Sequence, residues 1–521
     1  MNKVFNKIML VGTLLMFSSS VFATKTFHVG NGAEPSTIDP HFAGGDWESN
    51  IVGDMFMGLI TESADGKLIA GLAERWEISQ DGKTYTFKIR DAKWSDGEKI
   101  TANDFEFSFK RALNPKTASK FSFILYPIKN AESVNRGDSG LSSLGVKALN
   151  DSTLKITLED TTPYFLELLT HYTSFAVPSH TVKKHGKEWT KKENIVVSGA
   201  FKLEEWKPQT SLTVAKNQNF WDAKNVKLDK VIFYPIEDTS SELKRYSAGE
   251  LHITMRIPKG AYSRLKKDFG AELHSSPLLG IYYYPINTQK ITDIRIRKAL
   301  SLAINRDVIT QKITAGGELP AYAFVPPGTN NYDVKQPQLS FAKATYNDNV
   351  AQAKELMKQA GYSKSNPFEF ELKYNTQKGH KKVAIAIASM WKQIGVNATL
   401  FNQESKVHYN DLMSDNFEVG RAGWVGTYND PTTFTDLFLE NPYNYSRWID
   451  KGVSANAKKA SKTVDLKKRA KILAQVEKEI LEGHATIPIY YYVINRLVSD
   501  KVIGWEDNLL NIHRSRWLDL K

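Results

Sequence analysis

The sequence predicts an α/β protein with mixed sheets. Stretches such as Thr84–Arg90 alternate apolar and polar residues with period two, which is typical of half-buried strands. Other stretches repeat apolar residues every three or four positions, as Ile296, Leu300 and Ile304 do, which is typical of helices. Because the two kinds of segment alternate along the chain, we expect helices layered on sheets. The 521-residue length predicts two or three folding units.

The first residues have the pattern of an export signal. Lys3 and Lys7 form a basic region, an apolar run from Ile8 to Phe17 follows, and small residues end at Ala23. A retained membrane anchor is the alternative, but a spanning helix needs about 20 apolar residues and this run is shorter. We therefore expect residues 1–23 to be a cleaved signal peptide.

The chain contains no cysteine. Removing 23 residues from 521 leaves 498, a length at which a hydrophobic core alone stabilises a fold without disulfides. The same absence excludes a lipid-modified cysteine at the cleavage site. These features together predict an unlipidated protein of the periplasm.

The charge distribution argues against nucleic-acid binding. Net charge is +12, and +10 after the two signal lysines are removed. Positive and negative residues are interspersed, as in the segment 183–188, where lysines stand beside Glu188. Interspersed charges are typical of a solvated surface rather than of a phosphate-binding stripe. We expect no nucleic-acid partner.

The amino-terminal half begins with an expected short strand over Phe27–Gly32 that breaks at Gly30–Gly32. An extended, turn-rich segment to Pro40 follows, because proline disfavours helix in the residue before it. After the strand at 84–90, Thr101 is a candidate cap for a helix that would bury Phe105, Phe109 and Ala112.

The remaining elements follow from the same two periods. The expected strands are 211–215, 230–234, 368–374 and 487–493, and the expected helices run through 296–304, 349–360 and 382–394. Irregular chain is expected after the last strand.

No catalytic motif is present. The sequence lacks a nucleophile elbow, a phosphate-binding glycine loop and a metalloprotease helix. His180 and His185 are five residues apart, which does not place them on one helical face. We therefore predict a protein that is not an enzyme and has no cofactor or metal.

A set of short motifs in a fixed order spans nearly the whole mature chain. The motifs are residues 31–41, 91–97, 101–105, 198–201, 217–221, 282–284, 296–300, 303–306, 319–322, 421–431 and 490–492. In these segments the chain resembles the periplasmic oligopeptide-binding proteins of ABC importers, extracellular solute-binding protein family 5. The segment Asp91–Gly97 followed by Thr101–Phe105 is the most specific match.

The resemblance implies a bi-lobed periplasmic binding protein fold, with a discontinuous first lobe, an extra inserted domain and closure on the ligand. Lobe I would comprise residues 24–47, 190–279 and 488–521, the inserted domain 48–189, and lobe II 280–487. The implied partners are an oligopeptide or peptide-like ligand and an inner-membrane ABC permease, and the protein would be a monomer.

The resemblance also implies that the ligand adds as a strand. Ala33, Glu34 and Pro35 would lie on one side of it, and residues 423–425 on the other. Gly423 has ordinary turn chemistry as its alternative role. Trp424 would be either a wall of a side-chain pocket or part of the core. Val425 would contribute its main chain.

Three further residues are candidates for ligand contact. Arg421 resembles the family's arginine for the peptide carboxylate, and a guanidinium group binds a carboxylate bidentately. His380 resembles a second carboxylate contact, with a helix cap or surface position as its alternative. Tyr283 belongs to a tyrosine run of which only alternate members would face the cleft.

Thr427 departs from the family pattern, in which an aspartate holds the ligand's amino group. A desolvated ammonium group needs a carboxylate, and threonine offers only a neutral hydroxyl. Either Asp430 or Glu34 would then take the amine, or the ligand has no conventional amino terminus there. A modified or murein-derived peptide, or a shifted register, would fit. Non-peptide cargo such as a nickel chelate or haem remains the alternative.

Overall fold

The computed structural model describes residues 24–521, so the predicted signal peptide lies outside the described residues. The strands are β1 Thr26–Gly30, β2 Ile60–Glu62, β3 Leu68–Ala70, β4 Ala73–Ile78, β5 Thr84–Ile89, β6 Val146–Asn150, β7 Thr153–Thr157, β8 Phe201–Lys207, β9 Ser211–Lys216, β10 Lys230–Tyr234, β11 Leu273–Pro285, β12 Leu319–Pro320, β13 Phe368–Asn375, β14 Val396–Gln403, β15 Val419–Gly420, β16 Ala422–Val425, β17 Thr486–Leu497, β18 Val502–Ile503 and β19 Asp519–Leu520.

The α-helices alternate with these strands. They are α1 Asp46–Met55, α2 Ala102–Leu113, α3 Ala131–Arg136, α4 Phe165–Leu168, α5 Ser179–His185, α6 Thr239–Ser247, α7 Tyr262–Phe269, α8 Ile294–Leu302, α9 Arg306–Val308, α10 Tyr346–Gln359, α11 Lys378–Lys392, α12 Ser405–Met413, α13 Thr432–Thr435, α14 Lys451–Ser461 and α15 Leu466–Gly483. The α/β prediction is confirmed.

The first sheet joins distant parts of the chain. Its order is β1-β10-β9-β8, and β1 runs parallel to β10 from Thr26↔Lys230 to Gly30↔Tyr234. The alternating segments of β9 and β10 form strands as predicted. The first strand ends at Gly30, where the predicted break begins, and Gly32 then adopts a left-handed φ of +72° that turns the chain out of the sheet.

A second, antiparallel sheet has the order β4-β5-β7-β6. The side chains of β5 alternate between half-buried and buried, as its period predicts. Helix α2 begins after Thr101, and the Asp104 carboxylate accepts hydrogen bonds from the Thr101 backbone N–H (3.0 Å) and hydroxyl (3.1 Å). Phe105 and Phe109 of this helix are buried, so both predictions for this region are confirmed.

The carboxy-terminal half contains the sheet that carries the candidate site. The order β12-β17-β11-β16 is antiparallel, with β16 at one edge and β12 at the other. A smaller parallel sheet, β14-β13-β15, lies beside it. The predicted strand at 487–493 is longer than expected and pairs with β11 along most of its length. The expected irregular tail contains one short pair, β18 with β19.

Buried hydrophobic residues form two large clusters. One draws mainly on residues 27–233, and the other on residues 279–491. Large side chains such as Trp94, Trp189 and Trp391 are fully buried, and burial of such a side chain contributes on the order of 1.5–3 kcal/mol. The two cores agree with a bi-lobed molecule. The division of the first one at residues 48 and 190 stays a prediction.

The two parts of the chain meet at a contact between α4 and the segment after β16. The Tyr164 and Tyr428 rings stack with centroids 4.6 Å apart and an angle of 5°. Asn330 Nδ2 donates to Glu167 Oε1 over 3.3 Å. Behind this contact, Asp430 pairs with Arg469.

Candidate functional site

A cavity of about 920 Å³ opens on the face of the β12-β17-β11-β16 sheet. Its lining comes from segments 256–262, 313–318 before β12 and 377–382 at the start of α11, and from residues 278, 409, 421, 423, 425, 490 and 492–495. Four candidates from the sequence, Arg421, Gly423, Val425 and His380, line it together. The structure thus assembles one site from segments far apart in sequence.

The Arg421 backbone is held on both sides. Arg421 N donates to the Lys373 carbonyl of β13 (2.8 Å), and the Arg421 carbonyl accepts from His408 Nε2 (2.7 Å). The residue lies between β15 and β16, where the chain passes from the parallel sheet to the edge of the antiparallel one. These bonds fix where the side chain emerges.

The Arg421 guanidinium is buried but has no acidic partner. Arg421 is 6% exposed. Its Nη atoms donate to Tyr492 Oη (2.7 Å), Tyr409 Oη (3.1 Å) and Asn375 Oδ1 (3.3 Å). Nε has no hydrogen-bond partner, and within residues 24–521 no carboxylate forms an ion pair with this group. A buried charge is costly unless it is paired, so this cation is suited to an anionic ligand group.

Tyrosines surround the guanidinium. The Tyr282 ring lies 4.5 Å from Arg421 Cζ, in cation–π contact, and stacks on Tyr490 with centroids 4.5 Å apart. The Tyr492 ring also belongs to this group, with its centroid 6.3 Å from that of Tyr282. Sequence reasoning did not assign Tyr409, Tyr490, Tyr492 or Asn375 to the site. Period-two alternation in β17 could have found Tyr490 and Tyr492, since both face the side on which Tyr282 lies.

Gly423 is required for this arrangement. A methyl group in place of its hydrogen would lie 2.3 Å from Tyr492 Oη and 3.1 Å from Arg421 Nη2. Close approach of the tyrosine, rather than turn geometry, therefore explains the glycine. Gly423 and Val425 belong to edge strand β16, which pairs with β11 on one side only, so its outer main-chain groups can receive an added strand.

His380 lies inside the cavity, 5.5 Å from the Tyr282 ring, and is buried. Burial, together with the charges of Arg421, His408 and Lys259, lowers the pKa of His380 from 6.5 to about 3. The imidazole is therefore neutral at neutral pH while the cavity contains no anion. It offers a hydrogen-bond donor rather than a positive charge.

Comparisons with known proteins follow this geometry. The model of the family described as bacterial extracellular solute-binding proteins, family 5 Middle, matches residues 67–446. The periplasmic oligopeptide-binding protein OppA of Salmonella typhimurium strain LT2 is 38% identical over 497 residues, covering 93% of this chain and 90% of OppA. The chain belongs to family 5 of the bacterial extracellular solute-binding proteins.

Two solved structures of MppA, a member of the family, superpose on this chain to different extents. The unliganded open form of the murein tripeptide-binding protein MppA superposes with a TM-score of 0.92 at 37% identity, covering 95% of this chain and 97% of MppA. Another structure of MppA, from Escherichia coli, is also 37% identical and covers 95% of this chain and 98% of MppA. Its TM-score is 0.71. Identity and coverage are alike for the two structures, so the higher TM-score means that the backbone of this chain superposes better on the unliganded open form of MppA.

Ala33, Glu34 and Pro35 lie in another part of the fold. None of them lines the cavity, although all three lie in the segment that follows β1. The Glu34 carboxylate accepts from Trp206 Nε1 (2.8 Å) and from the Gln209 backbone N–H (3.2 Å). Their role as the second side of a peptide site stays a prediction.

Three other candidates lie away from the cavity. Trp424 is on the opposite face of β16, where its ring packs 5.6 Å from Tyr443. Tyr283 is buried against Phe324, with centroids 5.0 Å apart, and Tyr282 is the member of the run that reaches Arg421. Thr427 is exposed, beyond the end of β16.

Asp430 is not available to a ligand amine. It is fully buried, its two oxygens accept from Arg469 at 2.7 and 2.8 Å, and Thr432 and Asn331 donate to it as well. The suggestion that Asp430 takes the place of the missing aspartate is therefore wrong. Its charge is satisfied inside the protein.

Two negative findings apply to residues 24–521. No group of three or more histidine and acidic residues there is arranged to hold a metal ion. No helix in this range is long and apolar enough to cross a bilayer.

Proposed function

We propose that this chain is the periplasmic solute-binding component of an ABC importer and captures oligopeptides by strand addition and lobe closure. The observation that carries the proposal is Arg421, a buried cation without an acidic partner, at the start of an edge strand in a 920 Å³ cavity. The carboxylate of the ligand pairs with Arg421, and the main chain of the ligand pairs with β16.

Closure brings the segment Ala33–Pro35 to the other side of the ligand. The relatives named above, an oligopeptide-binding and a murein tripeptide-binding protein, support a peptide-like cargo. The protein acts as an unlipidated monomer, delivers the ligand to an inner-membrane permease, and has no catalytic role. Residues 1–23 are removed on export. A modified or murein-derived peptide fits the absence of an aspartate at Thr427.

The ligand retained on gentle purification tests the proposal. The protein is denatured, and the released molecule is identified by mass spectrometry. A peptide or peptide-like acid is the expected result, and it should return intact after long incubation with the protein. A retained haem or nickel chelate would contradict the peptide assignment, and cleavage of the peptide would contradict the non-catalytic role.

A calorimetric titration tests the carboxylate contact itself. We expect a tetrapeptide with a free carboxylate to bind about 30-fold or more tightly than its carboxy-terminal amide, because a desolvated charge loses its partner. Equal affinities would exclude Arg421 as the carboxylate site.

Thr427→Asp tests whether the ligand follows the family register. If the amine of a conventional peptide lies near Thr427, the added carboxylate should raise affinity for ordinary tetrapeptides about tenfold or more. No gain in the titration would mean that the amine lies elsewhere.

A further inference from the structure

Glu318 lies in the same cavity as Arg421, at the opposite edge of the sheet. It directly precedes β12, whereas Arg421 directly precedes β16, and these are the two edge strands. Among the described residues that line the cavity, Glu318 is the one with an acidic side chain. The cavity therefore has an acid at one edge and a buried cation at the other.

The two groups face the same side of the sheet. Pro320 pairs with Tyr490, Tyr490 with Tyr282, and Tyr282 with Gly423, which forms one row across the four strands. Glu318 and Arg421 each lie two residues before an end of this row, so alternation places them on the face of Tyr490 and Tyr282. Burial raises the pKa of Tyr490 well above its usual value of 10, and of the two edge groups Glu318 adds to this rise while Arg421 opposes it.

The loop before β12 holds Glu318 in place and leaves part of it free. Thr314 Oγ1 (2.8 Å) and the Gly316 backbone N–H (2.9 Å) both donate to Oε2. Asn495 Nδ2 of β17 donates to the Gly316 carbonyl over 2.6 Å and ties the loop to the sheet. Oε1 remains for another donor, and no described lysine, arginine or histidine forms an ion pair with Glu318.

We propose that Glu318 binds an ammonium group of the same ligand whose carboxylate binds Arg421. The inference rests on the proposed function, which supplies the carboxylate contact. It provides the amine partner that Thr427 lacks and that Asp430 cannot be. An end or a side chain of a ligand bound at β16 then reaches across the tyrosine face towards β12. Three strand spacings of about 4.8 Å separate the two edge strands by roughly 14 Å across the sheet.

The ammonium group has two possible sources, the ligand's amino terminus and an amine-bearing side chain. The probe is the tetrapeptide Ala-Lys-Ala-Ala in four forms: free, acetylated on Nα, acetylated on Nε, and acetylated on both. Calorimetry measures each form against the wild type, Glu318→Gln and Glu355→Gln. Glu355 is an exposed residue of α10 outside the cavity, so it serves as the matched control.

The expected result is a loss of affinity that depends on which amine of the peptide is acetylated. Acetylation of that amine weakens wild-type binding about 30-fold or more, and Glu318→Gln weakens binding of the free peptide by a similar factor. The variant then no longer distinguishes the acetylated form from the free one, whereas Glu355→Gln behaves as wild type. Sensitivity to Nα acetylation identifies the terminus, and sensitivity to Nε acetylation identifies the side chain.

Two results overturn the inference while the proposed function survives. One is that Glu318→Gln binds all four forms as the wild type does, which would restrict Glu318 to holding its loop. The other is an equal loss for every form, which would mean that Glu318 pairs with a protein cation such as Lys259 on closure. If no form binds the wild type and no peptide is retained on purification, the proposed function itself fails. Thermal unfolding of each variant verifies that the fold is kept.

Discussion

Two buried arginines of this protein have opposite surroundings. Arg469 is fully buried, and both Nη atoms donate to the Asp430 carboxylate at 2.7 and 2.8 Å. Arg421 is nearly as buried, yet its partners are two tyrosine hydroxyls and an amide oxygen. The charge of Arg469 is neutralised by a carboxylate of the protein, whereas Arg421 has only neutral hydrogen-bond acceptors.

On the proposed function, this difference separates a structural charge from a binding charge. The Asp430–Arg469 pair lies behind the Tyr164–Tyr428 stack, where the two parts of the chain meet, and leaves nothing for a ligand. Arg421 lines the 920 Å³ cavity, where a ligand carboxylate would form an ion pair with its guanidinium group. Removing one arginine should therefore reduce stability, and removing the other should reduce binding.

The largest expected effect is the loss of stability when the Asp430–Arg469 ion pair is broken. Asp430→Asn leaves the Arg469 charge buried and unpaired, so the free energy of unfolding should fall by about 3–5 kcal/mol, measured by urea denaturation. Asp268→Asn is the matched control, because Asp268 pairs with Arg264 at the surface and its loss should change stability by about 0.5 kcal/mol or less. Equal effects of the two substitutions would remove the distinction between the sites.

The next effect concerns Glu167, which faces the same contact from α4. Burial, and then the charge of Asp430, raises the pKa of Glu167 from 4.5 to about 8, with the Asn330 hydrogen bond opposing and Glu62 adding to the rise. The folded state therefore binds a proton that the unfolded chain releases near pH 4.5. The stability contributed by this proton is lost as pH rises from about 4.5 to about 8.

Glu167→Gln should remove this pH dependence. We expect the variant to be more stable than the wild type by on the order of 2 kcal/mol at pH 9, and by little at pH 5. Urea denaturation at both pH values measures the difference. A gain at pH 5 that equals the gain at pH 9 would mean that Glu167 does not carry a raised pKa.

A smaller effect is expected for Gly423→Ala. The added methyl group displaces the Tyr492 hydroxyl from Arg421, so affinity for a free-acid tetrapeptide should fall about tenfold, the equivalent of one polar contact to a charge. Gly379→Ala is the matched control within the cavity, since its methyl group would come no closer than 3.8 Å to another residue. If both variants bind alike, the close approach of Tyr492 has no role in binding.

The smallest effect is expected for His380→Gln. A neutral imidazole contributes a hydrogen bond but no charge, so affinity at pH 7 should fall only a few-fold. A ligand carboxylate beside it would raise the pKa of His380 from about 3, so binding at low pH should take up a proton. Calorimetry in buffers of different ionisation enthalpy detects this uptake. A loss as large as that for Arg421 variants would show that His380 is charged.

Local patterns in the sequence predicted the strands, the family resemblance pointed to Arg421 as a candidate, and the remaining contacts depend on long-range pairing. The period of Ser211–Ala215 and the capping segment at Thr101 each depend on neighbouring residues, so both were predicted. The partner of Asp430 is 39 residues away along the chain, and nothing in the local sequence indicates it. The same holds for Tyr409 and Asn375, which tertiary packing brings to Arg421.

The most direct measurement of the central claim compares Arg421→Met and Arg469→Met by urea denaturation and by calorimetric titration with one free-acid tetrapeptide. We expect Arg421→Met to keep or raise the free energy of unfolding and to lose about 30-fold or more in affinity. We expect Arg469→Met to lose about 3–5 kcal/mol of stability, because Asp430 is left buried without a partner. An Arg421→Met protein that binds the peptide as the wild type does would contradict the account.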